Sequence, residues 1–560
     1  TSLFAAMDDN LSYPAIEPTN FDLIVVGTGL PESLIAAASS SAGKTVLHLD
    51  PNPFYGSHVA SLPLVELTSF LQSQSSHIHR PSPAQSDGDY VSHDLNSRPT
   101  YSDVEISSYS AEPLELSRKF NLDLAGPRVL YCADSIVDLL LKSGASQYIE
   151  FKSIDASFVC DGEGKLASVP DSREAIFKDQ SLGLIQKTQL RMFFKLVQEH
   201  LEAVRSDGAE SSENRISEED LVSPFVEFLK KMRLPPKIKS IILYAIAMAD
   251  YDQEDLEVCK DVLKTKDGID YLALHHSSVG RFPNALGALI YPIYGQGELP
   301  QGFCRRAAVK GCIYVLRMPV IALLTDQGSG SYKGVKLSSG QHLFSHQLVL
   351  DPSFIVPSPL ANSPPDFLHD GSEVSGLRDV QGKVARGICI TNSSLKPDVS
   401  NFLVVYPPKS LYPGQVTSVR VLQIGSNLAV CPSGMFVLYL SALCDDAIQG
   451  KKSLNEAINA LVSVPISGNP ENSFTDQNEN IEEGKPTLLW SALYIQELTM
   501  GSFGNISSTP MPDGNLNYHN LLDIVLKLFH KMYPHEEFFP ETTSSDKLED
   551  DSGLDVESSS

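Results

Sequence analysis

From Phe21 to Val26 the chain is mostly apolar. It breaks at Gly27-Thr28-Gly29, continues through a stretch rich in Ala and Ser, and returns to an apolar strand from Thr45 to Leu49 that ends at Asp50. Apolar run, glycine turn, helix and second apolar run predict a βαβ unit of the dinucleotide-binding kind. Gly27 and Gly29 are the first two glycines of that fingerprint, but Glu32, beside Pro31, stands at the third. A carboxylate in the first helical turn competes with a pyrophosphate for one positive pole, while it complements the helix dipole by about 0.3–1 kcal/mol. Asp50 stands where a ribose-binding acid would and is read as a turn residue. The pattern therefore predicts a Rossmann-type fold whose cofactor site, Gly27, Gly29, Glu32 and Asp50, has lapsed. That points to a binding protein rather than a redox enzyme.

Gln72 to Pro113 is dense in Ser, His, Asp and Pro without a period and reads as an inserted surface loop whose deletion should spare the fold. Leu114 to Phe151 turns helical. Phe158–Cys160 and Lys165–Val169 flank Asp161-Gly162-Glu163-Gly164 as a hairpin. Between Ser172 and Ser278 apolar residues recur at helical spacing, among them Leu190, Phe193, Phe194, Val197 and Leu201, and later Phe225, Phe228 and Leu229. Lys237 to Ala249, which includes Leu243 and Ala247, is apolar on nearly every face, as suits a core helix or one that lines a pocket for an apolar ligand.

Strands return at Tyr314–Arg317, Ile321–Leu324, Leu348–Leu350, Ala385–Thr391, Phe402–Tyr406, Val416–Ile424 and Met435–Leu440. Ser453 and Glu456 form a capping box that opens a helix, Ser467 to Pro486 is a polar linker, and Leu521 to Met532 is a last amphipathic helix. Strands resuming after a helical block predict an α/β domain with a smaller all-helical domain inserted into it. The expected division is a flexible 1–20, a discontinuous α/β domain of 21–171 plus 279–540 with low-order insertions at 72–113 and 467–486, helical 172–278, and an acidic tail at 541–560.

Charge narrows the partners. A net charge of −26 over 560 residues argues against nucleic acid and against an anionic membrane surface bound by bulk charge. Part of it lies in Asp546 to Glu557, which reads as a disordered tail. Eight scattered cysteines lack a C-x-x-C pair, so reduced cytosolic thiols are expected, with neither a disulfide framework nor a zinc site. No secretory signal is read before the first strand, and Ile241 to Ala249 is too short to span a bilayer. The histidine pairs His77/His79 and His275/His276 are not read as ligands, the latter because neighbours on a strand face opposite ways. No G-x-S-x-G elbow, P-loop, H-E-x-x-H or kinase set is present.

Tyr291 to Phe303, YPIYGQGELPQGF, holds three glycines and two prolines and reads as a loop that cannot sustain a helix, with Glu298 and Arg305 close together as a structural pair or as partner contacts. With GTGLPESLIAA and HLDPNPFYG, this segment resembles the superfamily of Rab escort proteins and Rab GDP-dissociation inhibitors. The resemblance runs from Phe21 to about Leu324 and, more weakly, to HEEFFP at Pro540. It implies a flavoprotein-like (FAD/NAD(P)-binding-like) multi-sheet domain that uses no FAD, and a helical domain that holds a geranylgeranyl chain.

By the resemblance, Tyr55, Glu298 and Arg305 fall on the family's Rab-binding platform. Ile313 and Val315 take two further positions where dissociation inhibitors commonly carry Thr and Met, and Arg281 falls near a mobile effector-binding loop. The long insertions, the acidic tail and Gln296 are similar to the escort branch, of plant type, which is component A of Rab geranylgeranyltransferase. Such a protein is no catalyst and carries no metal or cofactor. It binds the GDP form of new Rab GTPases in the cytosol, presents their C-terminal cysteines to the catalytic αβ heterodimer, holds the lipid and touches membranes transiently. Phe193, Phe194, Leu243 and Ala247 are the candidate lipid contacts. A dissociation inhibitor, a FAD-dependent oxidoreductase of similar fold and a scaffold without a Rab partner are the alternatives.

Overall fold

The computed structural model describes residues 14–540 except 75–84, 162–163, 171–182, 206–214, 286, 358–359, 361–381, 466–483 and 500. His77, His79, most of the expected linker 467–486 and the acidic tail therefore lie outside the described residues. Along the chain run β1 (Asn20–Val26), α1 (Leu30–Ser41), β2 (Val46–Asp50), α2 (Leu64–Ser73), β3 (Tyr90–Asp94), β4 (Tyr101–Ser108), α3 (Ser135–Ser143) and β5 (Ala156–Cys160). Helices follow as α4 (Leu184–Arg205), α5 (Phe225–Lys231), α6 (Pro236–Ser240) and α7 (Thr265–Ser278). Then come β6 (Leu289–Pro292), α8 (Glu298–Val309), β7 (Ile313–Leu316), β8 (Val320–Asp326), β9 (Tyr332–Leu337) and β10 (His342–Leu350). The last are β11 (Lys383–Thr391), β12 (Phe402–Tyr406), β13 (Val419–Gly425), β14 (Phe436–Cys444), α9 (Ala447–Leu461), β15 (Leu488–Glu497) and α10 (His519–Met532).

Two large sheets organise these elements, in an α/β architecture. In the first the order is β7-β2-β1-β10-β9-β8-β3, followed by the short strand Gln85–Asp87, and Ile506–Ser508 also pairs with β10. β7, β2, β1 and β10 are parallel, which is why β1 and β2 read as apolar runs: both of their faces are covered. α1 crosses between them, and its Ala36, Ala37, Ala38, Ser39 and Ser40 are small enough to let α8 and α10 lie close against it. The second sheet runs from Leu166–Ser168 through β5-β12-β13-β14-β11-β15 to β4, antiparallel apart from the β5–β12 pair.

The ends of the chain are stitched to its beginning. Thr509 Oγ1 donates to Glu32, and Lys44 Nζ pairs with Glu536 at 2.6 Å. Phe539, in the Glu536–Pro540 segment, sets its ring 6.1 Å from that of Phe303 on α8, tilted by 51°. Arg128, Arg386 and Arg420 are all buried and donate to backbone carbonyls between Asp513 and Asn517, and Arg386 on β11 and Arg420 on β13 tie that segment to the second sheet.

Several expectations are corrected. Gln72–Pro113 is not a dispensable loop: β3 pairs with β8, β4 pairs with β15, and Tyr101 is fully buried. Leu114–Phe151 is helical only in part, because Gly126-Pro127 interrupts it and the short strands Leu122–Asp123 and Leu130–Tyr131 precede α3. Tyr291–Phe303 is not all loop, since α8 starts at Glu298. Pro300 is tolerated in the first turn, where its missing N–H costs nothing, and Gly302 lets Ile149 pack close, since a Cβ there would lie 2.6 Å from Ile149 Cδ1 and push that side chain aside.

α9 begins at Ala447 under an Asp446 cap, so Ser453 is not its start; its hydroxyl instead lies 2.9 Å from Tyr412 Oη. His275 and His276 sit on the helix α7, not on a strand. Lys237–Ala249 is not one α-helix: α6 gives way to a π-helical turn over Ile241–Ile246, and Met248 is left-handed at φ 53°. The hairpin of β5 with Leu166–Ser168 forms where the sequence expects it. Among the described residues no helix is long and apolar enough to cross a membrane.

Candidate functional site

The lapsed nucleotide loop lies between β1 and α1. Gly27 has φ +101° and packs so tightly that a Cβ would meet Asp351 Cβ at 2.6 Å, which only glycine permits. The Glu32 carboxylate folds back over the start of α1, its Oε2 in the space a Gly29 Cβ would take, and accepts from Thr509 Oγ1. Asp351 is beside it, with Oδ1 3.1 Å from His58 Nε2, and His58 Nδ1 is 3.0 Å from Tyr101 Oη. Asp50, last residue of β2, is fully buried. It is more than the expected turn residue, because its carboxylate accepts from Thr28 N at 2.8 Å, Thr28 Oγ1 at 2.6 Å and Asn52 N at 2.8 Å. A dinucleotide does not fit these residues: its pyrophosphate would have to evict Glu32 and lie among three carboxyl groups.

Burial sets the protonation of this cluster. It pushes Glu32 up to about 8, with the Asp351 charge adding to the effect, and Asp50 up to about 6, while Asp351 is held low chiefly by His58 against its own burial. Folded Glu32 thus keeps its proton to about pH 8, whereas the ordinary value is 4.5. Folding takes up a proton between those values, so this carboxyl lowers stability as pH rises through the window. Glu32→Gln keeps an acceptor for Thr509 but cannot ionise. It is expected to raise the melting temperature at pH 8 by several degrees and to leave it nearly unchanged at pH 5; equal shifts at both would contradict the assignment.

The platform residues implied by the resemblance lie just beyond this loop. Tyr55, half-buried in the segment after β2, sets its ring 6.3 Å from that of Tyr314 on β7. Glu298 and Arg305 are seven residues apart on α8 and so share a face. Burial raises the Glu298 carboxyl, and the Arg305 charge opposes that rise; burial and the Cys304 thiol raise the Tyr55 phenol, again against Arg305. These three residues therefore form one electrostatically linked group.

Ile313 and Val315 do not share it. Alternation along the edge strand β7 turns them to the opposite face, half-buried against the Ile24, Leu47 and Leu49 core, while Tyr314 between them packs on the α1–α8 side, its ring 4.7 Å from His48. Arg281, past the end of α7, is also set apart: its Nη1 donates to Cys132 O at 2.7 Å and its Nη2 to Asp138 on α3.

The sequence reading missed the support beneath α8. Asp123 accepts from Ser61 Oγ at 2.6 Å, from Gln296 N at 2.9 Å and from Tyr291 Oη, and Gln296 in turn donates to Arg128 O and accepts from Tyr518 Oη. These partners lie far apart in sequence, and no local pattern marks Asp123. Of the candidate lipid contacts, Phe193, Leu243 and Ala247 are fully buried in one core with strands of the second sheet, and Phe194 is half-buried with its ring 5.6 Å from that of Phe193.

A sequence profile described as GDP dissociation inhibitor matches residues 17–98 and 87–485. The chain is 57% identical over 564 aligned residues to "Rab escort protein 1" of Arabidopsis thaliana, covering 98% of this chain and all of that one. It is 28% identical to "Rab proteins geranylgeranyltransferase component A" of Drosophila melanogaster, over 95% of this chain and 92% of the relative. Among solved structures it is similar in fold to Rab GDI from Plasmodium falciparum, with TM-score 0.63 and 19% identity, over 92% of this chain and 99% of that one.

Proposed function

The chain belongs to the GDP dissociation inhibitor family, and from that premise we propose that it is an escort for Rab GTPases, the substrate-binding component of Rab geranylgeranyl transfer. It binds a newly made Rab in the GDP form through Tyr55, Glu298 and Arg305, and leaves the Rab C-terminal cysteines free for the catalytic αβ heterodimer. The end-to-end likeness to an escort protein carries this reading. The internally filled nucleotide loop supports a non-catalytic role, since the residues there leave no place for a dinucleotide. The helices α4 to α7 serve as a second domain that takes up the geranylgeranyl chain near Phe194. Each CH₂ buried is worth about 0.8 kcal/mol, and the buried Phe193, Leu243 and Ala247 must shift to admit it. The protein works in the cytosol and meets membranes only when it delivers the lipidated Rab.

The test is transfer of geranylgeranyl to an unprenylated GDP-bound Rab by the purified αβ transferase, with and without this protein. Incorporation is expected only when it is present. No incorporation together with tight binding of prenylated Rab would make it a dissociation inhibitor instead.

A further inference from the structure

Asp50 occupies the strand end where dinucleotide-binding folds place an acid on the ribose, yet here its carboxylate is turned into the protein. Oδ2 accepts from Thr28 N at 2.8 Å, Thr28 Oγ1 at 2.6 Å and Ser57 Oγ at 3.2 Å; Oδ1 accepts from Asn52 N at 2.8 Å. Thr28 extends the reach, because its hydroxyl accepts from Gly56 N at 2.9 Å and its N–H also donates to Ser57 Oγ at 2.9 Å. These bonds fasten the segment at Asn52 on one side and at Gly56 and Ser57 on the other. Between the two anchors stand Pro53, Phe54 and Tyr55.

The rest of the loop has little regular structure to hold it. Residues 51–55 are bends, Gly56 is left-handed at φ +105° with no room for a Cβ beside Ala60, and Ser57 follows at φ 42°. A run of such backbone conformations persists only where surrounding bonds determine it. Backbone bonds contribute, with Asn52 O accepting from Arg317 N at 3.1 Å and Gly56 O from Val59 N at 2.8 Å, but the side-chain bonds at the two anchors converge on the Asp50 carboxylate and Thr28.

We propose that Asp50, acting through Thr28, is a positioning residue for the GTPase-binding face: it fixes both ends of the Asn52–Ser57 loop and so sets Tyr55 against Tyr314. The inference rests on the reading of Tyr55 as a contact residue. Asp50 does not touch the partner. Its carboxylate does for the loop what it would do for a ribose in a cofactor-binding relative, accepting several hydrogen bonds that hold one geometry.

The test is a double-mutant cycle on binding of a GDP-bound Rab, using wild type, Tyr55→Ala, Asp50→Asn and the double variant. The amide of Asp50→Asn turns a donor toward one set of N–H and O–H donors. Asp50→Asn is expected to weaken binding about 10-fold in the wild-type background and less than about twofold when Tyr55 is already alanine. The same loss in both backgrounds would mean that Asp50 acts on the fold at large, and no loss in the wild-type background would show that the loop holds itself; either overturns the inference. Unaltered binding by Tyr55→Ala would remove the contact-residue reading and the inference with it. Should Asp50→Asn fail to fold, Thr28→Val removes the hydroxyl bridge between Asp50 and Gly56. It is expected to show the same dependence on Tyr55, with Thr28→Ser restoring wild-type affinity; failure of that dependence, or of the rescue, equally overturns it.

Discussion

Arg305→Ala is expected to weaken binding of a GDP-bound Rab by about 30-fold or more while leaving the melting temperature within a degree or so of wild type. Arg305 stands exposed on α8, so its removal strands no buried acceptor and opens no cavity. The helix beneath it is held independently, by Phe303 against Phe539 and by the Asp123 bonds at its entry. What the side chain offers is an exposed guanidinium on the helix that also carries Glu298, its charge acting on both Glu298 and Tyr55. Arginines and tyrosines so placed dominate interface energetics, at about 2 kcal/mol or more each, which is a factor of about 30 in affinity. Isothermal titration of the purified chain with a GDP-loaded Rab, paired with a thermal melt, separates affinity from stability. Unchanged affinity in both Arg305→Ala and Tyr55→Ala would sink the platform assignment.

Deletion of residues 85–108 is expected to abolish cooperative folding. The segment supplies β3, seated on β8 in the first sheet, and β4, which closes the edge of the second against β15 from Trp490 to Gln496. Tyr101 is the pin: its ring lies 6.0 Å from Phe70 and 5.8 Å from Tyr494, and its hydroxyl meets His58 Nδ1 at 3.0 Å. Losing one such buried aromatic costs about 3–5 kcal/mol, against a total stability of about 5–15 kcal/mol for a typical domain. The deletion also uncovers Trp490 and Tyr494 and leaves two sheet edges unpaired. Circular dichroism melts of the soluble fraction check it, and a sharp transition at the wild-type temperature would contradict it.

That prediction reverses what the residues suggest by themselves, and the reason is local. β4 carries Ser102, Asp103, Glu105, Ser107 and Ser108, and its register shifts opposite Leu493–Ile495 where Asp103 takes φ 51°. An extra residue at a bulge breaks the alternation by two, so a strand rich in Ser and Asp looks like a loop. β1, α1 and β2 were legible because a glycine turn between apolar runs has few other solutions, and α4 because its apolar residues keep the helical period over 22 residues.

The motif glycines and the proposed contacts Tyr55, Glu298 and Arg305 could be named from sequence, and the misfit of a dinucleotide could be argued from Glu32. The way Asp50, Thr28, Asp123 and Tyr314 hold those residues could not. Apart from the local bonds of Asp50 to Asn52 and Ser57, their hydrogen bonds and packing join positions far apart, such as Asp50 with Thr28, Asp123 with Tyr291 and Tyr55 with Tyr314, and a single sequence carries no trace of such pairs. α8 was misread because composition rules price Pro300 and Gly302 as if they stood in mid-helix with open space around them.

The stitching of the two chain ends bears on how the molecule is made. β1 needs β10, with Asn20 opposite Phe344; Glu32 in the first turn of α1 needs Thr509; and Lys44 waits for Glu536. A ribosome adding about 5–20 residues per second delivers the last of these only after roughly half a minute or more, and until then the apolar faces of β1 and α1 have no permanent cover. High contact order of this kind slows folding and exposes nascent chains to aggregation. The first-made strands thus wait uncovered until late in synthesis, and truncation near the C-terminus deprives them of their seal as well as removing a tail.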